Sequence, residues 1–512
     1  MLDATPLFRL YAKRRLARIE RLDPVAAQER TLFRLLHRAA ATAFGQAHDF
    51  AHLRTVGEYQ RAVPLRRYDD FWRDWWQPRF PRLTDCTWPG TIPYFALSSG
   101  TSTGVTKYIP LSPAMMRSNQ RAGADLLAHF MRDRPGSRLF AGRSFMLGGS
   151  TDVVQEAPGI FSGDLSGIAV KEMPRWARAR AFPPADLALI ADWEEKVAKL
   201  APAALKADLR LIGGTPSWLL IFFDRLAALR PDSQGRLGAL FPDLELLIHG
   251  GVSFVPYRQR FAELLAGSPA ETREVYPASE GFIAFADRPG EAGLRLTLDT
   301  GLFYEFVPLA ELDSAHPTRH WLATVETGID YAIVLTTCAG LWSYVIGDTV
   351  RFVDRQPPRL IVTGRTSYML SAFGEHVIDL EIEQAVAVAA AAIGTAVSDF
   401  SVGAVFPARA GDLGGHLYVV EFAGGVPDDV ACGRFTAVLD ASLQAANADY
   451  RAHRVGGFGL RAPALLPMPP GGFATWMKQR GKLGGQNKVP RIVTGETLFA
   501  DLRAFAARFQ PG

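Results

Sequence analysis

A loop rich in serine, threonine and glycine near residue 100 has the composition of a phosphate-binding loop. Positions 98–106 hold six hydroxyl-bearing residues and two glycines, and Lys107 follows directly. Backbone N–H groups and hydroxyls of such a loop can surround phosphate oxygens, and lysine adds a compact positive charge. The loop differs from a Walker A motif because Tyr108, and not Ser or Thr, follows the lysine. The residues predicted to contact phosphate are Ser98, Ser99, Gly100, Thr101, Ser102, Thr103 and Gly104.

Two motifs further along the chain carry side chains that suit the rest of a nucleotide. Tyr276 precedes Glu280 in a Tyr-Pro-Ala-Ser-Glu stretch after the predicted strand Thr272–Val275. The ring could stack on a base, and the carboxylate could hold Mg²⁺ through oxygen. Asp348 follows Gly347, and its two carboxylate oxygens could accept hydrogen bonds from both ribose hydroxyls. Taken separately, each motif is equally compatible with an ordinary surface turn.

A lysine near the C-terminus is a further candidate for chemistry. Lys488 follows the glycine-rich stretch Gly484–Asn487 and precedes Val-Pro-Arg. A lysine in such a loop could be delivered to a reacting anion, although a solvated surface charge is the simpler alternative. Lys478 and Lys482 lie close by and are the other candidates for this role.

The elements that must position these residues alternate between strands and helices. Apolar β-branched and aromatic runs predict strands at Leu244–Ile248, Leu302–Val307, Ala332–Thr337 and Leu360–Val362. Periodic apolar residues predict helices at Trp193–Leu200, Trp218–Leu229 and Tyr257–Leu265. This alternation is typical of α/β architecture.

The last part of the chain has a different pattern and predicts a smaller α+β domain. Helices are expected at Leu380–Ile393 and Asp428–Asn447, with strands at Phe400–Val405, Leu417–Phe422 and near Gly457–Leu460. The glycines of the stretch 364–374 mark the predicted boundary. We therefore expect a large multi-layer α/β domain over residues 1–366 and a small α+β domain over residues 367–512.

Composition excludes several classes of protein. The 512 residues are 48% hydrophobic and 21% charged, which excludes a disordered or fibrous chain. A net charge of +4 does not by itself indicate that the protein binds nucleic acid. The three cysteines are far apart, which indicates a reducing, cytoplasmic location without disulfides. The longest alanine-rich apolar run, Ala385–Ile393, is far short of the roughly 20 residues that cross a bilayer. The basic N-terminal helix is expected to dock through Phe8, Tyr11, Ala12, Leu16 and Ile19 and to expose its arginines to solvent.

In their order and spacing these motifs resemble one superfamily. The chain resembles the acyl-adenylate-forming enzymes and, within them, is identified as a bacterial member of the Gretchen Hagen 3 family of auxin-responsive acyl-acid amido synthetases. The matching segments are Ser98–Lys107, Tyr276–Glu280, Tyr344–Asp348 and Asn487–Arg491, and subsidiary matches are Gly214–Trp218, Tyr304–Phe306 and Asn447–Tyr450.

The resemblance implies a role for each matching residue. The loop with Lys107 would hold the β- and γ-phosphates of ATP, Tyr276 would pack on adenine, and Ser279 would lie near the α-phosphate. Glu280 would bind Mg²⁺, while Asp348, assisted by Arg365, would bind ribose. The resemblance places the turn formed by Gly250, Gly251, Val252 and Ser253 along adenine. Lys488, carried by a mobile C-terminal domain, would reach the acyl carboxylate and the α-phosphate.

The function implied is an ATP-dependent ligase that forms a carbon–nitrogen bond through an acyl-AMP intermediate. Its substrates would be a carboxylic acid and an amine, expected to be an amino acid, and the protein would act as a monomer without nucleic acid or membrane. Two alternatives stay open at this point: an acyl-CoA ligase with the same adenylation step, and a non-catalytic acyl- or nucleotide-binding protein on the same fold.

Overall fold

The computed structural model divides the chain into two compact units. Unit 1 comprises residues 1–251 and 267–362, and unit 2 comprises residues 252–266 and 363–512. The sequence pattern places residues 252–266 with the larger part of the chain, whereas in the structure they group with the C-terminal residues. The structure describes residues 2–99, 106–148, 153–173, 175–184, 187, 190, 193–252, 254–290, 293–366, 369–370, 377–406, 413–447, 450–451, 454, 460–483, 488–493 and 495–509.

The described residues form helices in both units. In unit 1 they are α1 Thr5–Ile19, α2 Pro24–Ala39, α3 Ala43–Ala47, α4 Val56–Ala62, α5 Tyr68–Phe71, α6 Pro113–Asp133, α7 Leu165–Lys171, α8 Arg175–Arg178, α9 Trp193–Ala204, α10 Pro216–Leu229 and α11 Leu237–Leu240. In unit 2 they are α12 Arg258–Leu264, α13 Asp379–Ala392, α14 Asp429–Ala446, α15 Gly472–Gln479 and α16 Glu496–Ala506.

The strands over the same described residues begin near residue 94. Those from β1 to β15 are Tyr94–Ser99, Thr106–Leu111, Arg143–Leu147, Val153–Ala157, Ile160–Gly163, Ala181–Phe182, Leu209–Gly214, Leu246–Gly250, Glu271–Ala278, Gly281–Phe285, Leu294–Leu296, Leu302–Pro308, Asp330–Thr337, Tyr344–Arg355 and Pro358–Arg365. Those from β16 to β21 are Met369–Leu370, Val377–Ile378, Val397–Val405, Gly415–Phe422, Ala464–Met468 and Ile492–Val493.

The largest sheet of unit 1 is partly parallel and partly antiparallel. Its order over the described strands is β12-β13-β14-β15-β11-β10-β9-β8-β7-β3-β6. Strands β9, β8, β7 and β3 pair in parallel, and β12, β13 and β14 pair antiparallel. Strands such as β13 are buried along almost their whole length, which explains why they appear in the sequence as continuous apolar runs. A second sheet has the order β2-β1-β5-β4.

Helix α1 is held in unit 1 by an ion pair that the sequence pattern misses. Ala12, Leu16 and Ile19 are buried as predicted, but Tyr11 is 41% exposed. Arg15, expected on the solvated face, is buried instead and donates to both Asp125 of α6 and Asp299. The expectation was wrong for Tyr11 and Arg15. Apolar periodicity identifies the docking face of a helix, but it cannot show that this face meets carboxylates that pair with an arginine.

Unit 2 contains the α+β arrangement predicted for the C-terminal part. Its sheet has the order β20-β19-β18-β21, with β18–β19 antiparallel and the outer pairs parallel. Helices α13 and α14 and strands β18 and β19 confirm the predicted elements to within three residues at each end. The strand predicted near 457–460 falls largely on residues 455–459, which lie outside the described part, and the next described strand is β20 at Ala464–Met468.

Candidate active site

Tyr276 and Asp348, predicted separately from two motifs, meet in unit 1. The Tyr276 hydroxyl donates a hydrogen bond of 2.6 Å to Oδ2 of Asp348. Tyr276 lies on β9 and is buried, whereas Asp348 lies on β14 and is half-buried. The contact brings the predicted adenine and ribose residues together and fixes one oxygen of the carboxylate.

A break in the regular pairing of β14 accompanies Asp348. The register between β13 and β14 shifts between Ala332 and Val334, so that the stretch 345–349 carries extra residues. Gly347 has φ +93°, a conformation that side-chain-bearing residues rarely adopt. Bulges of this kind change the direction of a side chain at the edge of a site, and here the affected residue is Asp348.

The turn after β8 lies beside Tyr276. Strands β8 and β9 pair in parallel, with Gly250 opposite Val275. A Cβ on Gly250 would lie 2.2 Å from the Val275 carbonyl oxygen, so this position has no room for a side chain. Gly251 has φ +82° and turns the chain away from the sheet. The close approach of the two backbones leaves main-chain atoms next to the predicted adenine residue. Val252 is half-buried, and Ser253 lies outside the described residues.

Ser279 and Glu280 form the connection of the β9–β10 hairpin. Ala278 pairs with Gly281, and the two residues between them are half-buried. Glu280 is therefore four residues from Tyr276 at the same strand end. Within the described residues, no group of three or more His, Cys, Asp or Glu could hold a metal. A single carboxylate still suits Mg²⁺ in a nucleotide site, because Mg²⁺ takes most of its ligands from phosphates and water.

The ends of the predicted phosphate loop are paired strands. Ser98 of β1 is opposite Lys107 of β2, and Ser99 is opposite Thr106. The two strands that flank the loop are therefore paired antiparallel, whereas Gly100, Thr101, Ser102, Thr103 and Gly104 lie outside the described residues. Lys107 is half-buried, with Nζ 5.6 Å from the centre of the Tyr68 ring. A cation over an aromatic face is attracted by the negative potential of the ring.

The remaining predicted residues belong to unit 2. Arg365 is half-buried at the end of β15 and follows Gly364, which has φ +144°. Lys488 is exposed, and so are Lys478 and Lys482, so exposure alone does not distinguish the three lysines. What sets Lys488 apart is Arg491, three residues further on, which is buried in a network with Asp399 and Tyr257. Sequence reasoning missed Tyr257 altogether, because no motif marks it.

Comparisons with known proteins agree with the order of these motifs. The GH3 family N-terminal domain profile matches residues 15–213, the central domain profile residues 295–365 and the C-terminal domain profile residues 380–497. A rice (Oryza sativa subsp. japonica) protein named probable indole-3-acetic acid-amido synthetase GH3.9 is 26% identical over 56% of this chain and 69% of its own length. Indole-3-acetic acid-amido synthetase GH3.8 of Oryza sativa subsp. indica is 25% identical over 55% of this chain, and the match spans 49% of its own length.

Solved structures of other proteins have the same fold as this chain. The AtGH3.15 acyl acid amido synthetase in complex with 2,4-DB superposes with a TM-score of 0.79, at 19% identity, over 96% of this chain and 95% of its own. A 2-hydroxyisobutyryl-CoA ligase in the postadenylation state gives a TM-score of 0.61 at 15% identity, over 95% of this chain and 92% of its own. Both have the fold of adenylate-forming ligases. With three successive domain profiles matched in order, this chain belongs to the GH3 family.

Proposed function

We propose that this chain is an ATP-dependent acyl-acid amido synthetase. It adenylates a carboxylic acid and transfers the acyl group to an amine, for which an amino acid is the expected source. The hydrogen bond between Tyr276 and Asp348 carries the proposal, because it joins two separately predicted nucleotide contacts beside the turn at Gly250–Gly251. Membership of the GH3 family supports it, and so do the relatives named as amido synthetases.

The proposed roles follow from the charge that the reaction brings together. A carboxylate attacks the α-phosphate and expels pyrophosphate, so the site must stabilise negative charge at the transferring centre. Lys107 and the loop Ser98–Gly104 hold the β- and γ-phosphates, and Lys488 holds the acyl carboxylate and the α-phosphate. Mg²⁺, held by Glu280, would neutralise phosphate charge when bound.

The remaining residues orient the nucleotide. Tyr276 and the turn Gly251, Val252 and Ser253 pack along adenine, Ser279 lies near the α-phosphate, and Asp348 with Arg365 binds ribose. In this proposal residues 1–366 bind ATP and the acid, and residues 367–512 form a mobile domain that carries the lysine. The amine then attacks the mixed anhydride and AMP leaves. No covalent bond to the protein is needed.

The proposed setting of the enzyme is the cytoplasm, where it acts as a monomer without nucleic acid or membrane. Its three cysteines are free; Cys86 and Cys338 are buried and Cys432 is half-exposed. None of the helices in the described residues is long and apolar enough to cross a bilayer.

Pyrophosphate release measured over a matrix of carboxylic acids and amino acids tests the proposal. Release that depends on both the acid and the amine, with amide product, is the expected result. Product formed with coenzyme A in place of the amine would make the protein an acyl-CoA ligase. No acid-dependent release across a broad panel would leave only a binding function.

The lysine assignment has its own test. We expect Lys488→Ala to slow adenylation by roughly 10²–10³-fold, the scale for removing one preorganised stabilising group. Lys478→Ala and Lys482→Ala should each retain adenylation, and Lys206→Ala, at an exposed lysine of unit 1, is the matched control. A large loss in either of the first two, with Lys488→Ala unaffected, would move the catalytic role to that lysine.

A further inference from the structure

Arg491 is buried at the point where the segment after Lys488 joins the sheet of unit 2. Its side chain is 12% exposed and lies against three charged or polar side chains from three separate parts of unit 2. Nη1 pairs with Asp399 of β18 and donates 3.0 Å to the Phe400 carbonyl oxygen, while Nε lies 3.8 Å from Oε1 of Glu383 on α13. Nη2 donates 2.6 Å to the Tyr257 hydroxyl. A planar guanidinium can satisfy partners in several directions at once, which a lysine cannot.

The backbone around Arg491 is held as firmly as its side chain. The Ser401 hydroxyl donates 2.6 Å to the Pro490 carbonyl oxygen, and Val402 N–H donates 2.7 Å to that of Arg491. β21 then continues in parallel register with β18. The exposed Lys488 therefore lies three residues from an anchored point, and Pro490 stiffens the intervening chain.

Tyr257 connects this anchor to another part of the sequence. It is 1% exposed, and it belongs to residues 252–266, which follow the turn proposed to run along adenine. The Arg491 guanidinium lies 4.5 Å from the centre of the Phe400 ring and 5.7 Å from that of Tyr257. Burial alone would lower the pKa of Arg491, but Asp399, Tyr257 and Glu383 together raise it above its usual value, so the charge is retained.

Resting on the proposed function, we propose that Arg491 is a positioning residue for Lys488. Through its contacts with Asp399 and Tyr257, it fixes the segment Lys488–Arg491 so that the lysine ammonium is presented in one place. In this role Arg491 acts through Lys488 and needs no contact of its own with substrate. Tyr257 contributes to the same positioning, since its hydroxyl accepts the hydrogen bond from Nη2 of Arg491.

The variant Arg491→Lys tests this proposal because it keeps the charge and loses the fork of donors. We expect adenylation to fall about 10- to 100-fold in kcat with the KM for ATP unchanged, the scale of a misplaced catalytic group. Tyr257→Phe should give a smaller fall, about 3- to 10-fold, from the loss of one charge-assisted hydrogen bond. Arg503→Lys, at an exposed arginine of the same unit, is the matched control.

Two readouts separate positioning from general damage. In the Lys488→Ala background, Arg491→Lys should cause no further loss of adenylation, because there is no lysine left to position. In addition, acetylation of Lys488 by an N-hydroxysuccinimide ester, followed by mass spectrometry and referenced to Lys206, should be faster in Arg491→Lys than in the wild type.

The outcomes also separate this proposal from the proposed function. If Arg491→Lys reduces adenylation equally with and without Lys488, or leaves the acetylation rate of Lys488 unchanged, Arg491 does not position the lysine. The acetylation readout needs no substrate. It therefore decides the role of Arg491 even if the wild type releases no pyrophosphate, which would overturn the proposed function alone.

Discussion

At the scale of single residues, the candidate site depends on how one aromatic hydroxyl and one carboxylate share a hydrogen bond. Tyr276 donates its hydroxyl hydrogen to Asp348, and its ring is the group that the proposal places on adenine. The residue proposed to stack on adenine and the residue proposed to bind ribose are thereby in contact, and we expect a change in one to alter the other.

Tyr276→Phe removes this hydrogen bond and keeps the ring. We expect the KM for ATP to rise about 3- to 10-fold with little change in kcat, since a hydrogen bond of this kind contributes about 1 kcal/mol. Steady-state adenylation kinetics measure the effect. Tyr304→Phe is the control: that buried hydroxyl is paired with Thr297, so its loss should lower stability and leave the KM unchanged. Equal KM values for Tyr276→Phe and wild type would contradict the proposed role.

The residue types of the site could be predicted from sequence, but their mutual contacts could not. Tyr276, Glu280 and Asp348 were identifiable because each stands in a short motif next to a predicted strand. The segment Tyr304–Phe306 shows the limit of such matches. Glu305 is fully buried and pairs with Arg319 at 2.8 Å, so it stabilises the core of unit 1. A partner fourteen residues away leaves no local pattern.

At the scale of elements, α1 and α6 are joined by a buried charge. Arg15 of α1 pairs with Asp125 of α6 at 2.7 Å and with Asp299 at 2.6 Å. All three groups are mostly shielded from water, so removing the arginine would leave the Asp125 carboxylate buried without this partner and Asp299 with Arg18 at 3.5 Å. Such a change is far more costly than the loss of a surface ion pair.

Arg15→Ala should therefore lower the free energy of unfolding by about 3–5 kcal/mol. Denaturant unfolding followed by tryptophan fluorescence provides the measurement. The neighbouring Arg14 is exposed, and Arg14→Ala should change the same quantity by no more than about 0.5 kcal/mol. Similar values for the two variants would show that the ion pair contributes nothing.

His129 makes α6 sensitive to pH. Burial lowers the pKa of His129 to about 4, and its Nδ1 lies 2.8 Å from the Asp125 carbonyl oxygen. The pKa of His129 is about 6.5 in the unfolded chain and about 4 in the folded chain, so the unfolded chain takes up the proton first as the pH falls. The folded state therefore keeps its full stability above about pH 6.5 and loses stability as the pH falls from 6.5 to 4.

We expect the free energy of unfolding to fall by up to about 3 kcal/mol between pH 6.5 and pH 4 from this group. His129→Gln removes the titration and should flatten that part of the stability profile. Urea unfolding at intervals of half a pH unit compares the two proteins. Parallel profiles over this window would rule out His129 as the source.

At the scale of the whole molecule, the class of fold was predictable and the grouping of the chain was not. Strands such as Leu302–Pro308 and helices such as Asp379–Ala392 can be predicted from their composition and periodicity. The order of strands in the large sheet could not be predicted in this way, because it depends on pairings between residues as far as 67 positions apart, such as Ser144 with Leu211. For the same reason nothing in residues 252–266 indicates that they group with the C-terminal residues.

Gly364 offers a test at the point where β15 passes from unit 1 to unit 2. With φ +144° and an added Cβ 3.0 Å from that of Asp379, Gly364→Ala should cost about 1–3 kcal/mol of stability. Gly433→Ala is the matched control, since that glycine lies within α14 with open space around it and should gain about 0.5–1 kcal/mol. Calorimetry of both variants gives the comparison, and equal melting temperatures would argue against strain at Gly364.

The grouping of residues 252–266 with unit 2 has a consequence for recombining this enzyme with its relatives. A chimaera joined once, near residue 363, would combine Arg491 from one parent with Tyr257 from the other. A graft that carries both segments, 252–266 and 363–512, would transfer the hydroxyl and the guanidinium as a matched pair. The natural module for exchange is therefore discontinuous in sequence, with two pieces and three junctions.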